Sequence, residues 1–303
     1  MSVVIVVAGE ALIDLVVTPD GVTATAGGAP YNVARACGRL GAAPALAACL
    51  SEDGFGRTLR AGLAECGVRD DLLQFTDRPT TLAVAQVDGD GVATYHFYTE
   101  GTSAPQLTPG SVPEHALALV TGGLALVLEP MARDIERLVT EAGAGVLVVV
   151  DINARPGAVA DRDLYVERVR NVTARADVVK ASHEDLEYLF PDEGAHDAAC
   201  HLLDGGAKAV LVTSGPSDTT ICTAAGSVAV PVVAVEVVDS IGAGDAFTAG
   251  FTTHWLQSGG SLGELSEPPA LLPSVQAAHA VAAVVVGRRG ADPPTPADVD
   301  WPD

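Results

Sequence analysis

The strongest constraint on the fold is a set of short, uninterrupted β-branched runs that stop at Gly, Asp or Glu: SVVIVVAGE (2–10), VLVVVD ending at Asp151, ADVVKAS (176–182) and KAVLVTSG (208–215). A strand with one wet face alternates apolar and polar residues, whereas a strand covered on both faces has no need to. Between these runs lie helical patterns. In YNVARACGRLG, Val33, Ala36, Cys37 and Leu40 recur at i, i+3, i+4 and i+7, and Gly41 supplies the stop. Strand followed by helix, repeated, predicts an α/β fold with a mostly parallel sheet and helices on both faces.

Two regions break that rhythm. Residues 11–26 (ALIDLVVTPDGVTATA) and 80–99 (TTLAVAQVDGDGVATYHFYT) alternate apolar and polar positions around the turn signals Pro19-Asp20-Gly21 and Asp88-Gly89-Asp90-Gly91. This pattern predicts antiparallel hairpins forming a small β-sheet lid inserted into the main domain. The stretches PPALLPS and ADPPTPADVDWPD are Pro-rich and loop-like, and the chain carries no internal repeat.

Charge narrows the partners. The net charge is −22 and only two lysines occur, Lys180 and Lys208, so DNA, RNA and anionic membrane surfaces are expected to be repelled. No apolar stretch of about 18 residues is evident, so no membrane span is expected. The five cysteines, Cys37, Cys49, Cys66, Cys200 and Cys222, are odd in number and form no C-x-x-C pair. They read as reduced and cytosolic, and the N-terminal run lacks the basic leader of a signal peptide.

The segment VVDSIGAGDAFTAGF (237–251) carries the chemistry. A strand-like run gives way to a Gly-Ala-Gly turn, Gly242-Ala243-Gly244, and a helix begins near Asp245. Free main-chain N–H groups and the positive helix end form a hole for phosphate charge, with small residues allowing close approach. Asp245, at that end, is expected to stay ionised and to accept a proton from an attacking hydroxyl. An N-capping Asp after a glycine turn would fit an ordinary αβ protein equally well.

Three further segments join it. In AGGAPYNVARACGRLG (26–41), Gly27 and Gly28 permit a tight approach to a ligand, Pro30 suits a first helical turn, and Asn32 faces a site for sugar hydroxyls. Asp14, in GEALIDLV, is a carboxylate in an otherwise apolar strand, explained by a polar ligand or by an edge strand in water. DINARP (151–156) ends a buried strand, where ligands of open α/β sheets gather, and brings Asn153 and the forked Arg155 there. In KASHEDL (180–186), Glu184 and Asp185 suit a Mg²⁺ held through water, or an acidic first helical turn.

Together these segments resemble the ribokinase-like, or PfkB, family of carbohydrate kinases, with GGAPYNVA as the N-terminal signature and DSIGAGDAFTAGF as the C-terminal one. The resemblance covers essentially the whole chain. It implies one kinase domain over 1–303, a three-layer α/β/α ribokinase-like fold with the lid at about 11–26 and 80–99, and ATP with Mg²⁺ as co-substrates. It makes Asp245 the catalytic base and gives the phosphate to the Ala243 and Gly244 amides. It puts Asp14, Gly28 and Asn32 on the sugar, with Tyr95 and Phe97 closing over it. Thr213 and Gly215 match the nucleotide-binding VTxG turn, and Lys180, Ser182 and His279 fall at the family's nucleotide positions. Asp239 and the carbonyl of Ile241 match positions holding a monovalent cation such as K⁺.

Two positions depart from the pattern. The family's Asn-x-x-Glu near Mg²⁺ reads Ser182-His183-Glu184-Asp185, and the Asn beside adenine is replaced by His279, which as an isolated helical histidine also reads as packing. Ala29 and Pro30 after Gly-Gly, with the scarcity of lysine, resemble fructokinases. The alternatives are 2-keto-3-deoxygluconate kinases, which usually carry Arg where Thr99 stands, then ribokinases and nucleoside kinases. A catalytically silent sugar or nucleotide binder is the reading from a different class. Lid strands with apolar faces suit a lid-to-lid homodimer.

Overall fold

The computed structural model describes residues 4–18, 20–87 and 93–301. The expected turn residues Pro19 and Asp88-Gly89-Asp90-Gly91 lie outside the described residues. In chain order the elements are β1 (Val4–Ala8), β2 (Leu12–Thr18), β3 (Gly21–Gly27), α1 (Ala29–Arg39), β4 (Ala43–Ser51), α2 (Gly54–Glu65) and β5 (Leu73–Thr76). Next come β6 (Leu82–Val87), β7 (Ala93–Tyr98), β8 (Ala118–Gly122), α3 (Met131–Thr140), β9 (Leu147–Asp151), α4 (Arg162–Arg175), β10 (Val178–Ser182) and α5 (His183–Leu189). The chain closes with α6 (Ala195–Asp204), β11 (Ala209–Ser214), β12 (Ser217–Thr223), β13 (Gly226–Val230), α7 (Ala243–Gln257) and α8 (Pro268–Val286).

Nine strands form the large sheet in the order β13-β12-β11-β10-β9-β8-β1-β4-β5. The seven strands from β11 to β5 pair parallel, while β12 and β13 add an antiparallel edge. The continuous apolar runs are explained by what covers them. Ile5 and Val7 of β1 face a core shared with α1, α2, α7 and α8, whereas Val6 and Ala8 face α3 to α6 on the other side. Each fully buried aliphatic side chain contributes about 1.5–3 kcal/mol, so neither face tolerates a polar alternation. Because the strands run parallel, their carboxyl ends share one edge, and β1, β9, β10 and β11 deliver their following loops there.

Four strands form the small sheet in the order β3-β2-β6-β7. Both expected hairpins are antiparallel, but β2 pairs with β6 in parallel, so the sheet is mixed rather than wholly antiparallel. The reason is tertiary. Both β2 and β6 enter the sheet from the body of the molecule in the same direction, which local alternation does not encode.

The apolar helix α8 corrects the sequence reading. Its 19 residues have a mean hydropathy of 1.6, long and apolar enough to cross a bilayer by length and composition. In the fold it packs along α7 and against β12 and β13, with half of its apolar window buried. Leu271, Val275 and Ala278 join the core beneath the sheet, which accounts for the apolarity.

Candidate active site

A cavity of about 590 Å³ opens where the two sheets meet, at the carboxyl ends of the parallel strands. One wall is the small sheet, whose alternation turns Asp14, Val16, Ala83, Ala85, Tyr95 and Phe97 toward it. Tyr95 is nevertheless 60% exposed, so that wall stands open at β7. The other walls are the loop after β1 (Glu10), the start of α1 (Gly28, Asn32), the turn after β9 (Asn153, Arg155) and the start of α7 (Gly242, Gly244, Asp245).

The α7 start follows from its glycines. Gly242 is the N-cap in the left-handed conformation (φ 79°), and a Cβ there would lie 2.5 Å from that of Ala291. A side chain at this position is barred both by conformation and by space. The first helical hydrogen bond is from the Ala246 amide to the Gly242 carbonyl, 2.8 Å. The Ala243 amide turns back to the Ser240 carbonyl at 3.3 Å, whereas among the described residues the Gly244 and Asp245 amides meet no protein acceptor. The amides left without a protein acceptor are therefore those of Gly244 and Asp245 rather than the expected pair Ala243 and Gly244, because the tight turn spends the earlier amide.

Asp245 is 8% exposed, and its Oδ2 accepts a hydrogen bond from Asn32 Nδ2 at 2.8 Å across 213 residues of sequence. Oδ1 has no protein partner among the described residues. Burial pushes the carboxyl up to about 6 and the Asp151 charge adds to this, while the Asn32 bond, Lys180 and Arg155 oppose it. The helix terminus does not keep Asp245 at an ordinary value, as expected from sequence; desolvation outweighs it. At pH 7 such a group is still ionised in roughly nine molecules of ten. Asn32, expected on the sugar, spends its donor on Asp245 and retains a buried Oδ1 without a partner.

Asp14 sits on β2 facing the cavity, and burial pushes it up to about 6 against the pull of Arg155. Gly27, two residues beyond Thr25, the cross-strand neighbour of Asp14, makes room for this carboxylate: a Cβ on Gly27 would overlap Asp14 Oδ2. Asn153 holds a positive φ of 42°, and its Oδ1 accepts Arg155 Nη1 at 2.6 Å, so half of the Arg155 fork is folded onto its own turn. Arg155 lines the cavity, and its charge pulls down the pKa of carboxyls on three elements, Glu10, Asp14 and Asp245.

Beneath the anion hole lies a buried pair. Lys180 Nζ donates to Asp151 at 3.0 and 3.2 Å, Thr248 Oγ1 donates to the same carboxylate at 2.9 Å, and a Cβ on Gly244 would lie 2.9 Å from Nζ. Burial works against the ammonium, but Asp151, then Asp185, raise its pKa and keep it charged. Lys180 thus places a positive charge directly under Gly244.

Other expected site residues carry structural roles. Ser182 and Asp185 form a capping box on α5: Ser182 Oγ accepts the Asp185 amide (3.1 Å), and Asp185 Oδ2 accepts the Ser182 amide (2.7 Å). Asp185 Oδ1 accepts the Ala154 amide at 2.6 Å, tying the Asn153–Arg155 turn to α5. Both oxygens serve main-chain donors, and the short side chain fits the N3 position of a cap. Among the described residues, no group of three or more His, Cys, Asp or Glu side chains is arranged to hold a metal. His279 is 5% exposed, with Nε2 against Thr219 Oγ1 (2.8 Å), Nδ1 against the Pro231 carbonyl (3.1 Å) and its ring 5.5 Å from that of Phe247. Both nitrogens are engaged within the protein, so His279 packs the α8 interface.

Thr213 pairs with Ser182 at the carboxyl end of β11, and Gly215 (φ 54°) turns the chain into β12 with open space beside it. Asp239 accepts the Ile241 amide (3.0 Å) and the Gly290 amide (2.8 Å), pinning the run before α7 to the loop after α8. From β13 to α7 that run leaves Val233, Val235, Val237, Val238 and Ile241 43–61% exposed.

Sequence reasoning missed Glu10, Asp151 and Thr248. Glu10 is 2% exposed, its Oε1 accepts the Ala29 amide at 3.2 Å, and its Oε2 is buried with no partner. Burial pushes it up to about 8, the Asp245 charge in the same direction, while main-chain amides and Arg155 oppose. Its only sequence signal is an acid at the end of a wholly apolar strand.

Comparison with known proteins agrees with this geometry. Residues 4–298 match the family described as pfkB family carbohydrate kinase. The fructokinase of Rhizobium leguminosarum bv. trifolii is 37% identical over 251 residues, 80% of this chain and 76% of its own. Fructokinase-1 of Oryza sativa subsp. japonica is 31% identical over 99% of this chain and 96% of its own. Among solved structures, a fructokinase with bound ATP from Xylella fastidiosa superposes with a TM-score of 0.89 at 30% identity, covering 97% of this chain and 96% of that one.

Proposed function

The chain belongs to the pfkB family of carbohydrate kinases, and from that premise we propose that it transfers the γ-phosphoryl group of ATP to a hydroxyl of fructose. The observation that carries the reading is Asp245: a buried carboxylate with one oxygen held by Asn32 and the other free, beside two unclaimed amides at a helix start. Phosphoryl transfer has a loose transition state, so the protein mainly positions groups and neutralises charge. Asp245 Oδ1 orients the acceptor hydroxyl and takes its proton late, as the oxygen becomes acidic in transfer. The Gly244 and Asp245 amides, backed by Lys180 Nζ below, hold the phosphoryl oxygens in flight.

Asp14, Gly28 and the Asn153–Arg155 turn frame the sugar, and the small sheet acts as the lid that excludes water, with Tyr95 and Phe97 on its inner side. The outer side of that sheet leaves Val22 and Tyr98 64% and 60% exposed, a surface on which two copies can pair. The nucleotide lies across Thr213 and Gly215, with the exposed valine run to α7 as an apolar wall for the purine. Mg²⁺ enters as the counter-ion of the nucleotide phosphates, where it offsets their charge, since no protein side-chain cluster among the described residues offers a cage. Asp239 and the Ile241 carbonyl are hard oxygen donors fixed by two main-chain bonds, and they suit K⁺. Four buried free thiols, with Cys200 half-buried, fit a reducing cytoplasm.

An ADP-release assay across a panel of sugars and nucleosides tests the reading. Turnover with fructose supports it. Release with 2-keto-3-deoxygluconate or ribose alone moves the substrate assignment, and no ADP with any acceptor leaves a silent binder.

A further inference from the structure

We propose that the Glu10 carboxyl oxygen left free by Ala29 binds one oxygen of the acceptor sugar, making Glu10 a specificity-determining residue for neutral acceptors. This rests on the kinase reading above and adds a residue and a charge rule to it. The geometry is specific. Glu10, two residues past the end of β1, lines the cavity, Oε1 is anchored 3.2 Å from the first amide of α1, and Oε2 is buried without any protein partner among the described residues. A Cβ on Gly123 would lie 3.2 Å from Glu10 Oε1 and 3.4 Å from the Ala29 Cβ, so a side chain there would crowd the anchored carboxyl. A buried polar atom without a partner needs one that the protein does not itself supply, and a hydroxyl-rich ligand is suited to do so.

The charges around it decide which ligand. Facing Glu10 are Asp14 from β2, Asp245 from α7 and one cation, Arg155, from the turn after β9. With a pKa of about 8, Glu10 is mostly protonated at neutral pH and offers Oε2 as an O–H donor rather than a third charge. An acceptor carrying a carboxylate or phosphate would meet two ionised carboxylates with half of the Arg155 fork already used. A sugar hydroxyl or ring oxygen meets a donor. The cavity is thereby matched to uncharged polyols, and raising the pH through about 8 should weaken their binding as Glu10 ionises.

Steady-state kinetics with fructose and ATP on the wild type, Glu10→Gln and Glu10→Ala test this across about pH 6.5–9.5. Glutamine keeps an acceptor for Ala29 and a permanent donor at Oε2's place. Expected are a wild-type fructose KM that climbs about tenfold per unit above pH ~8, and a Glu10→Gln KM within about threefold of wild type at neutral pH and flat above it. Glu10→Ala should raise the fructose KM by about tenfold or more while leaving the ATP KM within about twofold. The proposal is overturned if Glu10→Gln keeps the alkaline rise, or if Glu10→Ala leaves the fructose KM within about twofold of wild type. The glutamine arm decides alone should the alanine variant not fold. A wild type inactive toward every acceptor would instead refute the kinase reading, so the two failures are distinguishable.

Discussion

Replacing Asp245 by Asn isolates the proton-accepting step. In the wild type Asn32 Nδ2 donates to Oδ2 at 2.8 Å and Oδ1 faces the cavity. In Asp245→Asn the new carbonyl oxygen must take the Asn32 bond, which turns the new NH₂ toward the sugar. The group that meets the hydroxyl changes from acceptor to donor, so both the base and the orientation are lost. General-base catalysis contributes about 10²–10⁴, or roughly 3–5 kcal/mol, and a kcat loss in that range is expected with the fructose KM within a few-fold. The fold should survive. The pKa of Asp245 is raised from 3.8 to about 6, so its stabilising protonated form prevails at low pH and stability is lost as pH rises from 3.8 through about 6. Asparagine removes that loss, about 3 kcal/mol at neutral pH, and Tm should rise by roughly 4 °C at pH 7 and hardly at all near pH 4. Kinetics from about pH 5 to 8 give the second readout: the wild-type rate falls below pH ~6 as Asp245 protonates, and the variant loses that contribution while keeping whatever Asp14 adds. A variant with kcat within tenfold of wild type, or with an unchanged acid limb, would show that Asp245 is not the base.

Gly27→Ala puts a methyl group onto Asp14 Oδ2 and should push that carboxylate out of the cavity, raising the fructose KM by about tenfold or more with an unchanged ATP KM; a fructose KM equal to that of the wild type would separate Asp14 from the sugar. Lys180→Met leaves Asp151 buried without its cation, which costs about 3–5 kcal/mol, and differential scanning calorimetry should show the loss; a Tm within a degree of wild type would mean that Asp151 is neutral in the native protein. His279→Ala removes two buried hydrogen bonds and a contact to Phe247, so about 2–4 kcal/mol of stability should go while the ATP KM stays within about twofold. A tenfold rise in the ATP KM with an unchanged Tm would return His279 to the nucleotide.

What the sequence made legible is what chain-local physics decides. The run VLVVVD reads as a strand covered on both faces because each residue, whichever way it points, meets a helix layer. Gly242 and Asp245 read as a turn and a first helical residue because a positive φ and an acid at a helix start are properties of neighbouring positions. The rest was set by pairs far apart in sequence. Asp151 meets Thr248 across 97 residues, and Asn32 meets Asp245 across 213; no spacing rule announces either. The parallel pairing of β2 with β6 is likewise a matter of how two segments enter one sheet. Asp185 shows the converse: the acidic first turn that the sequence offered beside a metal contact is present as a capping box, a local rule the sequence did display.

An acidic chain that handles a polyanionic nucleotide has to gather positive potential without basic residues to spare. Of its two lysines, Lys208 pairs with Asp177, and only Lys180 lies under the anion hole. The remaining attraction comes from main-chain amides at the start of α7, whose partial charges act at hydrogen-bond range and do not depend on the net charge of −22. Net charge governs encounter over a Debye length of about 8–10 Å, whereas main-chain amides act at about 3 Å, which is why an acidic surface and a phosphate-holding turn are compatible in one molecule. The same scarcity of cations bears on the acceptor side. Glu10, Asp14 and Asp245 share a cavity with a single Arg155, and burial raises the pKa of all three acids, so adding negative charge there is resisted by the site itself. A neutral sugar adds none.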